Sequence, residues 1–332
     1  MAGDSIIVIS QIEKTADRRI KESEKKMSDV IVLEDVTKRY GNEEVVKNAS
    51  MHVKEGEIYG FLGPNGAGKT TVMKLILNLA KPDCGNIRVF GEPVLPDSYT
   101  YLRYVGNLIE TPCFYEKLSA GRNLRLHCEY MGIYEEGRIE QALEQVGLQG
   151  CENKIVGKFS LGMKQRLGIA RALLAKPKLL LLDEPINGLD PIGVVEIRQL
   201  LQSLCEERDL AILLSSHNLP ELFQTATDYI IIDHGEIRKV MTHKELVDQC
   251  KSFLLIRCDN TALAVSLIEN ALGTKDFLVM PDHSIRLYGC DDRVKEAAAL
   301  FKSNDLLVTN LSIEGTTLEN YYLQIVRGEE NV

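Results

Sequence analysis

One stretch of nine residues, Gly63-Pro64-Asn65-Gly66-Ala67-Gly68-Lys69-Thr70-Thr71, constrains this chain more than any other feature. It matches G-x-x-x-x-G-K-[ST], and its flanks suit that pattern. Upstream, Glu57-Ile58-Tyr59-Gly60-Phe61-Leu62 reads as a buried strand, and downstream Thr70 to Leu77 carries the apolar spacing of a helix. A chance glycine-rich turn would lack that strand–loop–helix order. Glycines let backbone wrap an anion, while successive N–H groups and the helix N-terminus supply partial positive charge. Gly63, Pro64, Asn65, Gly66, Ala67 and Gly68 therefore form a phosphate cradle, with Thr71 at the start of the helix. Lys69 adds a full charge toward the β- and γ-phosphates, and the Thr70 hydroxyl is placed to ligate Mg²⁺. ATP with Mg²⁺ is the expected cofactor.

A second segment adds chemistry to this binding site. Leu179-Leu180-Leu181-Leu182 runs straight into Asp183-Glu184. Such an apolar run is buried on both faces, as in a parallel sheet covered by helices. Its carboxyl end lies on the rim where α/β sheets bind ligands. Asp183 is assigned to the metal and Glu184 to the attacking water, which it would orient and deprotonate. Alone, an Asp-Glu pair would be a solvated strand end; beside a phosphate loop it becomes a hydrolytic pair.

Between the two lies Phe159-Ser160-Leu161-Gly162-Met163-Lys164-Gln165-Arg166-Leu167, leading into a helix. Ser-x-Gly at a helix start is a second anion cradle, or simply an N-cap. The ordered set carries a resemblance. From about Val30 to about Val247 the chain resembles the ATP-binding subunit of an ABC transporter. That resemblance implies that Ser160 and Gly162 belong to the signature segment, which completes the ATP site of a second copy. Asn187-Gly188-Leu189-Asp190 would be the D-loop, His217 the switch histidine near the γ-phosphate, and Tyr40 the aromatic ring on adenine.

Two departures from the family pattern narrow it. The signature usually reads Leu-Ser-Gly-Gly-Gln; here Phe159, Leu161 and Met163 replace three positions, while the phosphate-facing Ser160 and Gly162 stay. The family also places a glutamine where this chain has Glu110, five residues before Tyr115. Both side chains offer Mg²⁺ an oxygen, but glutamate adds a negative charge and removes an N–H donor. Glu110 is expected on the metal side of the site and beside the groove for the membrane partner, instead of being a solvated loop acid. With Ile-Glu-Thr-Pro and Ser-Leu-Gly-Met-Lys-Gln-Arg, the chain looks like exporters for bacitracin, lantibiotics and related antimicrobial peptides.

The fold expected is α/β: a mostly parallel sheet with an inserted helical subdomain at about 98–175, then a small C-terminal α+β domain. The division is 1–28 as an N-terminal extension, 29–248 as the ATP-binding domain and 249–332 as the accessory domain. The mixed-charge run Glu13–Lys26 reads as a solvated tail, with a short surface helix on a membrane as the alternative. Beyond Cys250 the pattern runs β-α-β-β-α-β, which suggests a ferredoxin-like domain.

Composition agrees: of 332 residues, 45% are hydrophobic and 26% charged, as in globular chains. No apolar stretch approaches the ~20 residues of a membrane span. A transporter ATPase of this kind must borrow its pore from a separate permease, which would hold it at the cytoplasmic face of the membrane. The net charge of −9 gives no basic footprint for nucleic acid. Eight scattered cysteines without C-x-x-C spacing read as reduced cytosolic thiols. One phosphate loop and one signature segment imply a dimer of two copies around two ATP molecules. The alternative reading is an ABC ATPase that drives an assembly process without transport.

Overall fold

The computed structural model describes residues 28–110, 112–208, 210–290 and 293–328. The expected N-terminal extension lies outside the described residues, apart from Ser28. Two compact units meet between Val240 and Met241, a few residues ahead of the boundary read from the sequence.

In the first unit, β1 (Asp29–Tyr40), β2 (Glu43–Lys54), β4 (Cys84–Val89) and β5 (Glu92–Pro93) form an antiparallel sheet in the order β2-β1-β4-β5. A second sheet has the order β10-β9-β3-β8-β7-β6. It contains β3 (Ile58–Leu62), β6 (Val105–Leu108), β7 (Leu179–Asp183), β8 (Ala211–Ser216), β9 (Asp228–Asp233) and β10 (Glu236–Thr242). Pairings from β9 through β3, β8 and β7 to β6 are parallel. Every residue of β3, β7 and β8 is buried, because helices cover both faces and alternation would strand polar groups inside. His234 and Gly235, both at positive φ, form the two-residue turn that folds β10 back on β9.

The helices are α1 (Lys69–Ile76), α2 (Ala120–Met131), α3 (Arg138–Gln145), α4 (Leu161–Leu173), α5 (Pro191–Arg208) and α6 (Leu219–Phe223). α1 buries Val72, Met73, Leu75 and Ile76 in a core shared with Phe61, Leu181, Leu213 and Ile230. Polar side chains start three others: Ser119 caps α2, Ser160 caps α4 and Asn218 caps α6.

The stretch 98–175, expected as a helical subdomain with polar connections, also contains β6 at the edge of the parallel sheet. Its four residues include Gly106 and Asn107, both poor strand formers, so the local pattern hides it. Gly106 is there for tertiary reasons. A Cβ on it would sit 2.5 Å from the Ala172 carbonyl oxygen of the overlying α4.

The second unit holds α7 (His243–Gln249), β11 (Phe253–Cys258), α8 (Thr261–Leu267), β12 (Phe277–Val279), β13 (Ile285–Tyr288), α9 (Val294–Ser303), β14 (Val308–Glu314) and α10 (Leu318–Arg327). α7 opens with a capping box between Thr242 and Glu245, and α8 runs on into a π-turn over Ile268–Leu272. The sheet is antiparallel in the order β12-β13-β11-β14. Leu254, Ile256, Ile285 and Leu287 point into a core with Ile268, Ala297 and Phe301, while Leu255 between the first two is also buried. Arg286 and Tyr288 face the other way and are half-buried, on the same face as the buried Leu255 that pairs with Arg286. None of the eight cysteines is disulfide-bonded.

Candidate nucleotide site

The carboxyl ends of β3, β7, β8 and β6 share one rim of the parallel sheet, where the expected site residues collect. Gly63 leaves β3 at a point where a Cβ would run into the Ile232 carbonyl, so only glycine fits. Gly68, at φ 107, turns the chain into α1, and its missing Cβ clears the Val45 carbonyl oxygen by what would otherwise be 2.7 Å. The loop is strapped to its neighbours by Gly63 N–H to Ser216 O (3.4 Å) and Gly235 N–H to Ala67 O (3.0 Å). Lys69 curls over it, with Nζ donating to Gly63 O (2.7 Å) and Pro64 O (3.1 Å). Its side chain is only 6% exposed. Burial pulls the Lys69 pKa below the ordinary lysine value, and Glu184 and Asp183 act against that shift.

Asp183 is the junction of the rim. Its Oδ2 accepts from the Thr70 hydroxyl (2.7 Å) and its Oδ1 from the Ser215 hydroxyl (2.5 Å). Ser215 Oγ in turn accepts from the Glu184 N–H at 2.9 Å. Glu184 sits in the left-handed region at φ 50, which turns its side chain out of the strand direction. The carboxylate lies 2.9 and 3.1 Å from His217 Nδ1 and 3.5 Å from Lys69 Nζ. Lys69, Thr70, Asp183, Glu184 and His217 thus form one connected group. Sequence reasoning missed Ser215, whose signal was a polar residue ending an apolar strand. It also missed Glu221 on α6, whose carboxyl is pushed above the usual range by burial and by Glu184 while His217 pulls it down.

Other expected residues lie apart from that group. Tyr40 ends β1 with its ring half exposed and Lys38 Nζ 5.2 Å from the ring centroid. Glu110, at φ 65, follows β6 and pairs with Lys74 Nζ of α1 at 2.8 Å. Ser160 uses its hydroxyl to accept from Met163 N–H (3.2 Å), and Asp190 Oδ1 accepts from Gly193 N–H (2.9 Å). These two segments close on each other: a Cβ on Gly162 would meet Leu189 at 3.7 Å, and one on Gly188 would meet Leu161 at 3.3 Å. Ser160 and Gly162 are brought to the D-loop segment, and their contacts within the chain do not run to the phosphate loop.

Chemically, the rim offers backbone N–H groups and an ammonium to phosphate, and a carboxylate held between an imidazole and a lysine. Among the described residues no group of three or more His, Cys, Asp and Glu could enclose a metal by itself. Thr70 and Asp183 offer hard oxygens only, which suits Mg²⁺ completed by phosphate oxygens and water.

That combination of sheet, loop and acid pair is the build of a phosphate-loop ATPase. The family profile described as "ABC transporter" matches residues 46–187. The bacitracin transport ATP-binding protein BcrA of Bacillus licheniformis is 41% identical over 302 residues, covering 91% of this chain and 99% of that protein. An uncharacterized ABC transporter ATP-binding protein, YcbN, of Bacillus subtilis (strain 168) is 41% identical over 91% of this chain and 98% of its own length. Among solved structures, the dimeric bacterial ABC transporter cassette MJ0796 superposes with a TM-score of 0.58 at 27% identity, over 64% of this chain and 98% of that one. The chain belongs to the ATP-binding proteins of ABC transporters, and it is an ATP-hydrolysing subunit. Among the described residues no helix is long and apolar enough to cross a membrane.

Proposed function

We propose that this subunit powers the export of an antimicrobial peptide, of the bacitracin or lantibiotic kind, through a separate membrane permease. The observation that carries the cargo class is the 41% identity to a bacitracin transport protein, sustained over 99% of that protein and therefore through both units. The permease would hold the subunit at the cytoplasmic face of the membrane.

Each residue has a role in that reading. The loop from Gly63 to Thr71 cradles the phosphates, and Lys69 neutralises their charge. Thr70 and Asp183 would hold Mg²⁺, which when bound would neutralise charge on the phosphate oxygens. Glu184 takes the proton of the attacking water as its oxygen bonds to the γ-phosphorus and the bond to ADP breaks. His217 orients that carboxylate from 2.9 Å and donates toward the γ-phosphate. Tyr40, exposed at its strand end, stacks on adenine. Ser160 and Gly162, with Asp190 behind them, belong to the ATP site of a second, identical copy, so that two ATP molecules lie at an isologous interface. Glu110 works on the metal side and beside the permease groove.

The second unit reads as ferredoxin-like, because its two β-α-β halves interleave in the strand order β12-β13-β11-β14. The test of the whole reading is resistance. A sensitive host carrying this chain together with a cognate permease should survive bacitracin or a lantibiotic at several times the control dose. The same pair carrying Glu184→Gln should give no protection. Equal survival with and without active subunit would overturn the cargo assignment.

A further inference from the structure

The rim carries three carboxylates where the ABC pattern needs two. Leu108 of β6 pairs with Leu182 of β7. Glu110 and Glu184 each lie two residues beyond that pair on adjacent parallel strands, and both have positive φ, at 65 and 50. A third acid on the same rim, though apart from the Asp183–Glu184 group, adds negative charge where a polyphosphate would bind. Helix α1 answers this. Residues four apart share a helix face, so the face that brings the Thr70 hydroxyl to Asp183 brings the Lys74 ammonium to Glu110 one turn later. Lys74 Nζ lies 2.8 Å from Glu110 Oε1. The pair as a unit is neutral, as the glutamine of the common pattern is.

We propose that Lys74 is the positioning residue for Glu110: its ammonium holds the carboxylate at the rim and cancels its charge, so that an acid serves where an amide otherwise stands. This rests on the metal-side reading of Glu110. Stability is not the purpose, since both side chains are substantially exposed and exposed pairs contribute little to folding.

The test is a double-mutant cycle on the full purified chain with Lys74→Met, Glu110→Ala and both, plus Lys74→Arg. Two quantities are read: the ATPase rate against Mg²⁺ concentration, and the tightening of a fluorescent ATP analogue by Mg²⁺ in a Glu184→Gln background. Lys74→Met is expected to lower the rate about fivefold and to reduce the Mg²⁺-dependent tightening, with no further loss when Glu110 is already alanine. Lys74→Arg should restore both. An equal loss in both backgrounds would show that Lys74 acts on nucleotide directly and would overturn the proposal. So would an unchanged Lys74→Met beside an impaired Glu110→Ala. If Glu110→Ala alone leaves both quantities unchanged, the metal-side reading of Glu110 itself fails, which is a different result from either of those.

Discussion

The phosphate rim and the signature segment are built to opposite degrees of completeness. At the rim, Lys69, Asp183 and Ser215 are all nearly buried, and each polar side chain has a partner supplied by this chain. The segment from Ser160 to Gly162 has its own helix cap and lies close to Gly188 and Leu189. Buried polar groups must be satisfied or they cost free energy. The rim is therefore completed within one chain, whereas the segment from Ser160 to Gly162 is more open, with Ser160 and Leu161 exposed and Gly162 half-buried. On the reading proposed above, the nucleotide site is preformed in this way, while the Ser160–Gly162 surface is left for a second copy to cover.

Glu184→Gln sharpens this comparison most. The amide keeps the shape and the hydrogen bonds but cannot take a proton, so turnover should fall on the order of 10²-fold or more while ATP still binds. Steady-state phosphate release and a nucleotide-binding titration measure the two halves. Wild-type turnover in this variant would remove Glu184 from the role of base.

Next in size is the signature surface. Ser160→Arg should leave ATP affinity of the single chain within about twofold, because the rim is self-contained, yet abolish ATP-driven pairing in the Glu184→Gln background. Sedimentation with and without ATP reads this directly. Equal amounts of dimer in the two proteins would break the distinction between a finished rim and an unfinished partner surface.

The smallest expected effect lies behind the rim. Burial and the charge of Glu184 raise the Glu221 pKa above its ordinary 4.5. An acid whose folded pKa is raised binds its proton more tightly in the folded state. Its contribution therefore falls as pH rises from the unfolded value through the folded one. Glu221→Gln should accordingly raise the melting temperature at pH 7 to 8 by a few degrees, of order 1 kcal/mol or less for a group this exposed. The gain should vanish below about pH 4.5, where both forms are neutral. A pH series of thermal melts shows whether the gain follows that sign.

Much of the rim could be read without coordinates. Gly63 to Thr71 and Asp183-Glu184 are local patterns whose chemistry is carried by residue type and flank, so spacing alone located them. The ends of β3 and β7 were legible because an unbroken apolar run has one use in a covered parallel sheet. β6 was not, since Gly106 fits its place only because α4 crosses above it. Ser215 was invisible for a similar reason: a serine ending a strand says nothing until Asp183 is found beside its hydroxyl.

By itself, then, the sequence determined the phosphate loop, the acid pair and most of the order of strands and helices, β6 excepted, because each depends on neighbours within about ten residues. Only the tertiary structure decided which of those pieces meet. It joined Asp183 to Thr70 and Ser215, and Glu184 to His217 and Lys69. It set Glu110 against Lys74, a pairing between residues 36 apart that no local pattern encodes. Parallel sheets bring strand ends together across long crossovers, so the contacts that make the chemistry are those farthest apart along the chain.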